Sequence, residues 1–318
     1  MTSLRVFVGP DAEPEIVDAV RAGGGTPADG AGAADAIVWL GAPDALVPLL
    51  HDGVRWVQLP NAGVERWLEG GLIGGASGDA AGGAVAGGGA ERVWTSAAGA
   101  YADTVAEHTL ALVLAGLRRL PECARAQAWD RSLEGRSLRG ATVAIVGAGA
   151  IGRALIGLLA PFGARVIAVT LRGAPVPGAA ETLPAARLAE VWPRADVVVL
   201  AAPATDATRH VVDTAVLRAL PSHAWIVNVG RGALVDTDAL VQALAAGEIA
   251  GAALDVTEPE PLPSDHPLWR EPRALITPHV ANPDAAIHTA LAAFVADNVA
   301  RRREGRELRG VIDVARGY

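Results

Sequence analysis

The 318-residue chain predicts an α/β fold in two parts, each built on a parallel sheet. Three observations carry this reading. Two separate series of short, nearly unbroken apolar runs alternate with helical periodicity, the pattern of strands covered on both faces. A glycine-rich stretch, GAGAIG at 147–152, lies between one such run and a helix pattern. A final helix pattern follows the second series, too late in chain order to extend it.

The first series comprises LRVFV (4–8), AIVWL (36–40), RWVQL (55–59) and RVWT (92–95). Between them, EPEIVDAVRAGG and PDALVPLLHDG have helical period and glycine stops. The glycine-rich residues 69–90 break the pattern and read as a flexible surface excursion. From Tyr101 a helix pattern runs to Leu120, with Pro121 just beyond it. The second series is TVAIVG (142–147), RVIAVT (165–170), DVVVLAAP (196–203), WIVNVG (225–230), GAALDV (251–256) and ALIT (274–277). The last helix pattern, DAAIHTALAAFVADNVARR, is expected to return to the first part and make it discontinuous. The expected boundaries are 1–98 with 286–318 for one domain and 99–285 for the other.

Composition narrows the chemistry. Apolar residues make up 51% of the chain, enough for a substantial core, and the formal net charge of −8 argues against a nucleic-acid partner. Arg301, Arg302 and Arg303 read as cations at a helix C-terminus. The longest membrane-like run, LALVLAGL at 110–117, falls far short of the ~20 residues of a span. The N-terminus enters a strand pattern directly and soon turns acidic, unlike a signal peptide, so a soluble cytoplasmic protein is expected, without a membrane partner. Cys123 is the only cysteine and the chain has no lysine. No thiolate metal cluster, phosphate-loop lysine or Schiff-base chemistry can then be built. Short-chain and 3-hydroxyacid dehydrogenases, which use a catalytic lysine, are excluded as well, and no metal site is expected.

GAGAIG fits a dinucleotide fingerprint because TVAIV precedes it and AIGRALIGLLAPFG follows. Gly147 allows the tight turn, Gly149 lets the backbone approach a pyrophosphate, and Gly152 lets the helix pack closely on the sheet. Ala150 and Ile151 contribute the unpaired N–H groups of the helix N-terminus. The next strand ends in VTLRG where an acid usually holds the adenosine ribose. Thr170 and Arg172 suit a 2′-phosphate instead, which favours NADP over NAD; the competing reading of Arg172 is an exposed loop arginine without a ligand.

Three later segments place a reactive residue at the carboxyl end of an expected strand, where ligands of open α/β sheets lie. NVGRGALVD carries Arg231, ALDVTEPEPLP carries Asp255 and Glu260, and ITPHVANP carries His279. A histidine can exchange the proton that accompanies hydride transfer at a carbonyl, and an adjacent carboxylate fixes its tautomer. A fixed guanidinium can bind a planar carboxylate. Of the seven histidines, His108 reads as a core or interface residue, and His210 and His288 fall in helical or solvated segments.

These segments together with GAGAIG resemble the D-isomer-specific 2-hydroxyacid dehydrogenase family. AGVERW (62–67), VAEHTLALVLAGLR (105–118), HPLW (266–269) and the terminal VIDVARGY extend the resemblance over most of the chain. It implies two Rossmann-like domains: a doubly wound parallel-sheet cofactor domain and a discontinuous, flavodoxin-like substrate domain. It implies that Arg231 binds the substrate carboxylate and polarises the keto oxygen, that His279 is the acid/base, and that Glu260 pairs with His279. It assigns the substrate carboxylate also to the backbone of Ala62 and Gly63. Asp255 goes to the nicotinamide carboxamide, and Pro203, Thr208, Val229 and Gly230 join the cofactor site. A homodimer is implied by the resemblance and by the apolar helix at 105–117. The leading expectation is an NADP-preferring reductase of a small 2-oxo acid, glyoxylate or hydroxypyruvate. The alternatives are an NAD-dependent oxidation of the phosphoglycerate-dehydrogenase or phosphite type, and an NAD(P)H-sensing protein like the corepressors of this fold.

Overall fold

A computed structural model describes residues 3–73 and 92–317. The chain divides into two compact units, Met1–Tyr101 with Asp284–Tyr318, and Ala102–Pro283. Most of the glycine-rich stretch at 69–90 lies outside the described residues.

The first unit holds β1 (Arg5–Gly9), β2 (Thr26–Pro27), β3 (Ala36–Trp39), β4 (Trp56–Gln58) and β5 (Val93–Thr95), in the order β2-β1-β3-β4-β5 and parallel throughout. That is the flavodoxin-like order. Helices α1 (Pro14–Ala22), α2 (Pro43–Leu46) and α3 (Glu65–Glu69) lie along the connections. Strand alternation sends Val6, Val8, Ala36 and Val38 to one side, against Ile16 and Val20 of α1. Ile37, Trp39 and Val57 face the other side, with Leu46 and Trp67. Strand β2 has no counterpart in the sequence reading because two residues cannot show a period; its Pro27 is tolerated at the sheet edge.

The second unit opens with α4 (Ala102–Leu117) and α5 (Leu120–Arg125). The helix pattern that reads as continuous to Leu120 stops at Leu117, because Arg119 takes a left-handed φ of 51°. Pro121 lies in the first turn of α5 rather than beyond a helix end, a position where its missing N–H costs nothing. The seven strands β6 (Thr142–Val146), β7 (Arg165–Thr170), β8 (Glu181–Pro184), β9 (Val197–Leu200), β10 (Trp225–Asn228), β11 (Gly251–Leu254) and β12 (Ala274–Ile276) are all parallel, in the order β12-β11-β10-β9-β6-β7-β8. Helices α6 (Ala150–Leu159), α7 (Thr214–Ala219) and α8 (Thr237–Ala246) cross between strands. Strand β8, ETLP, carries one buried apolar side chain, Leu183, too little to read as a strand. The chain leaves β6 outward through β7 and β8, then returns to its other side at β9. This reversal opens a crevice at the carboxyl ends of β6 and β9, the place where such sheets bind ligands.

Helix α9 (Asp284–Glu304) returns to the first unit, where Leu291, Val295 and Val299 pack beside α1, and Arg301–Arg303 occupy its last turn. No helix among the described residues is long and apolar enough to cross a membrane.

Candidate active site

The glycine loop sits at the switch point, between the end of β6 and the start of α6. Gly147 has φ +87°, and a Cβ there would lie 2.5 Å from the Ala202 nitrogen, so only glycine fits. The N–H groups of Gly147 and Ala148 donate to the Val169 carbonyl at 3.1 and 3.0 Å, fixing the loop to the end of β7. Gly149 is the N-cap of α6 and no side chain caps the helix. A Cβ on Gly149 would meet nothing within 4 Å. Space is thus open beside Gly149 at the start of this ten-residue helix, and the unpaired N–H groups of a helix's first turn suit the pyrophosphate of a dinucleotide. Gly152 lies against the sheet, its would-be Cβ 3.1 Å from Ile145.

Thr170 ends β7 with its hydroxyl buried and without a hydrogen-bond partner. Arg172, two residues on, is exposed and forms no ion pair among the described residues. Across the crevice, Thr208 donates to the Pro203 carbonyl at 2.7 Å and accepts the Thr205 N–H at 2.8 Å, closing a tight loop after β9. The backbone amides of the glycine loop and the exposed Arg172 guanidinium fit an NAD(P) dinucleotide.

Arg231 follows β10 in extended conformation, and its guanidinium donates to the Gly230 carbonyl at 2.8 Å. Its backbone is set by Asn228, a buried residue that ends the otherwise apolar strand β10. The Asn228 side chain accepts the Gly230 N–H at 3.1 Å and donates to the Arg231 carbonyl at 2.8 Å. Neither Gly230 nor Gly232 has room for a side chain. A Cβ on Gly230 would lie 2.7 Å from the Ala202 carbonyl, and one on Gly232 would lie 2.0 Å from the Thr257 carbonyl. Val229 is buried beside them. The Arg231 loop and the loop after β11 thus touch backbone to backbone.

That second loop carries Asp255 and Glu260. Glu260 accepts from His279 Nδ1 at 2.7 Å and from the Thr257 N–H at 3.3 Å. His279 sits just past β12 with a left-handed φ of 54°, uncommon for a residue with a Cβ. Asp255 holds this turn. Its carbonyl accepts the His279 N–H at 2.8 Å, and its buried carboxylate accepts the N–H groups of Val280 and Ala281, both at 3.0 Å. The Thr277 hydroxyl donates to the same carboxylate at 2.5 Å, and His108 Nε2 lies 3.4 Å from it. Burial pushes the Asp255 carboxyl up, but the hydrogen bonds from His108, Thr277, Val280 and Ala281 outweigh it and leave the group below its ordinary value.

The structure therefore joins His279 to Glu260 directly and aligns Arg231, Asp255 and His279 at the ends of three neighbouring strands. Ala62 and Gly63 belong to the other unit, in the loop between β4 and α3. Asn228, Gly232, Thr277 and His108 were not among the expected site residues. A buried asparagine within WIVNVG was the one visible signal. His108, read as a core or interface residue, reaches Thr277 Oγ1 at 3.1 Å.

A doubly wound sheet with a glycine loop at its switch point, and an imidazole–carboxylate pair at neighbouring strand ends, defines an oxidoreductase of the nicotinamide-dinucleotide class. The family model for the D-isomer specific 2-hydroxyacid dehydrogenase NAD binding domain matches residues 110–281, and the chain belongs to this family. A protein of Corynebacterium melassecola from the proB 3′ region, itself uncharacterized, is 39% identical over 276 residues, covering 85% of this chain and 86% of its own. A glyoxylate reductase of Thermofilum pendens is 35% identical over 64% of this chain; the match spans 63% of that enzyme's length. The crystal structure of an NADPH-dependent glyoxylate/hydroxypyruvate reductase from Sinorhizobium meliloti, in complex with NADP and sulfate, superposes with a TM-score of 0.75 at 28% identity, covering 100% of both chains.

Proposed function

We propose that this chain is a reductase of small 2-oxo acids, glyoxylate or hydroxypyruvate first, working with NADPH in preference to NADH. The observation that carries the reading is the 2.7 Å contact between His279 Nδ1 and Glu260, beside the Arg231 loop. The bound nicotinamide supplies the hydride. Glu260 accepts from Nδ1 and so leaves Nε2 as the atom that delivers a proton to the keto oxygen; in the reverse direction Nε2 removes it. Arg231 binds the substrate carboxylate and polarises the carbonyl. The backbone of Ala62 and Gly63 enters as the second carboxylate holder on the family resemblance. Asp255, besides holding the His279 turn, faces the nicotinamide carboxamide in this reading.

The cofactor preference rests on Arg172 more than on Thr170, whose hydroxyl is turned inward. The relatives named glyoxylate reductase and the NADP-bound neighbour support the substrate class and the cofactor. Exposure of Trp129 to 92% and of Leu120 to 52% supports a homodimer formed through the region after α4; light scattering giving a monomer mass would refute it. A cytoplasmic location stays with this proposal.

The test of function is a matrix of glyoxylate, hydroxypyruvate, 3-phosphoglycerate and phosphite against both cofactors in both directions. Reduction of glyoxylate or hydroxypyruvate with NADPH ahead of NADH is expected. Tight NADPH binding without turnover of any 2-oxo acid would instead indicate a sensor, and fastest oxidation of phosphite or phosphoglycerate with NAD would overturn the substrate class.

A further inference from the structure

In the loop that follows β4, residues 59–63, the Leu59 N–H donates to the Thr95 carbonyl at 2.7 Å, and from there on the loop is held through its carbonyl oxygens. The Gln58 side chain donates to the Leu59 carbonyl at 2.8 Å. The Tyr101 hydroxyl donates to the Pro60 carbonyl at 2.5 Å, and the Ala97 N–H donates to the Asn61 carbonyl at 2.8 Å. The N–H groups of Asn61, Ala62 and Gly63 donate to no acceptor among the described residues. All three residues are accessible, Gly63 partly so.

In a trans peptide the carbonyl and the following N–H point in opposite directions. Tyr101 and Ala97 come from one segment after β5, so both carbonyls turn toward that segment. The N–H groups of Asn61 and Ala62 must then face the opposite way, together. Successive amides aimed at one point form an anion-binding concavity. Gln58 is in turn held by a buried network: its Oε1 accepts from Asn298 at 2.9 Å and from the Thr95 hydroxyl at 2.9 Å.

We infer that Tyr101 is a positioning residue for substrate: its hydroxyl fixes the Pro60–Asn61 peptide plane so that the amides of Asn61 and Ala62 converge on the carboxylate of the 2-oxo acid. This rests on the functional reading above and adds Asn61 and Tyr101 to it. Burial pushes the Tyr101 phenol up to about 12, so the hydroxyl remains a donor at every working pH. The phenol touches neither substrate nor cofactor in this role, and its effect is on binding. An interaction made equally in ground and transition states changes KM and leaves kcat alone.

The test is Tyr101→Phe, which keeps the ring and removes the donor. Expected are a rise of about tenfold in the KM for glyoxylate, with kcat within threefold and the NADPH Kd within twofold of the parent. The inhibition constant of oxamate, an unreactive planar analogue, should rise with the KM. An unchanged KM and oxamate constant in Tyr101→Phe, in an otherwise active enzyme, would overturn the inference alone. A parallel loss of kcat and NADPH binding would overturn it too, by showing a general structural role. Parent protein that neither reduces glyoxylate nor binds oxamate would overturn the functional reading and this inference with it.

Discussion

Gly232→Ala tests whether the Arg231 loop and the Glu260–His279 pair are held in register by backbone contact. A single added methyl carbon would lie 2.0 Å from the Thr257 carbonyl oxygen, 2.1 Å from its carbon and 2.7 Å from the Glu258 nitrogen. All three are backbone atoms, so no side chain can swing away. Ordinary contact begins near 3.4 Å, so the two loops must separate by roughly 1.4 Å. Thr257 N–H donates to Glu260, and the displacement therefore passes to the carboxylate that orients His279. A misplacement of about 1 Å in a catalytic constellation costs on the order of 100-fold in rate. The expected kcat/KM for glyoxylate is thus lower by about 100-fold, with an overpacking cost of about 1–3 kcal/mol in stability. The glycine loop at 147–152 is not part of this contact, so the NADPH Kd should hold within a few-fold. Steady-state kinetics, fluorescence titration of NADPH and urea denaturation give the three numbers. Activity within threefold of the parent would refute the claim that this contact sets the geometry.

Three further outcomes follow from the same site. His279→Ala should lower kcat by about 10²–10⁴ while NADPH titration stays within a few-fold, and retained turnover would remove His279 from the acid/base role. Arg172→Ala should weaken NADPH by about 10–100-fold, the loss of one charge-assisted contact, and leave NADH unchanged; equal losses for both cofactors would contradict a 2′-phosphate contact. Asp255→Asn should lower stability at pH 7 by about 1–3 kcal/mol, because an amide cannot accept from both the Val280 and Ala281 N–H groups. Asp255 is depressed in the folded protein, so its charged-state contribution is complete above the ordinary carboxylate value and disappears as pH falls through the folded one. The gap between parent and variant in denaturation midpoints should therefore shrink in acid, and a gap that widens there would refute the assignment.

Elements with strong local patterns were legible in the sequence. The ten apolar runs all lie on strands, since most of them are buried on both faces and so nearly all apolar. What escaped was structure whose cause is not local. Strands β2 and β8 are short edge strands that exist because β1 and β7 offer unpaired backbone beside them, and their own residues carry no period. The break at Arg119 was hidden because an arginine in left-handed conformation gives no compositional signal, while the proline two residues on suggested a later end.

The site divides along the same line. Gly147, Arg231, Glu260 and His279 stand in short segments that the sequence singles out, and the parallel strands bring those segments to the carboxyl end of one sheet. The groups that support the His279 turn come from far along the chain: His108 reaches Thr277 across 169 residues. Nothing in the neighbourhood of His108, an apolar helix, marks it as a donor to the turn that carries His279. A reacting group can be recognised by its type, but a supporting group is defined only by its partner. Where a polar residue interrupts an apolar run, as Asn228 and Gln58 do in their strands, a buried partner must exist, and each side chain ties down the loop that follows its own strand. Such interruptions are the sequence's clearest record of its supporting hydrogen bonds.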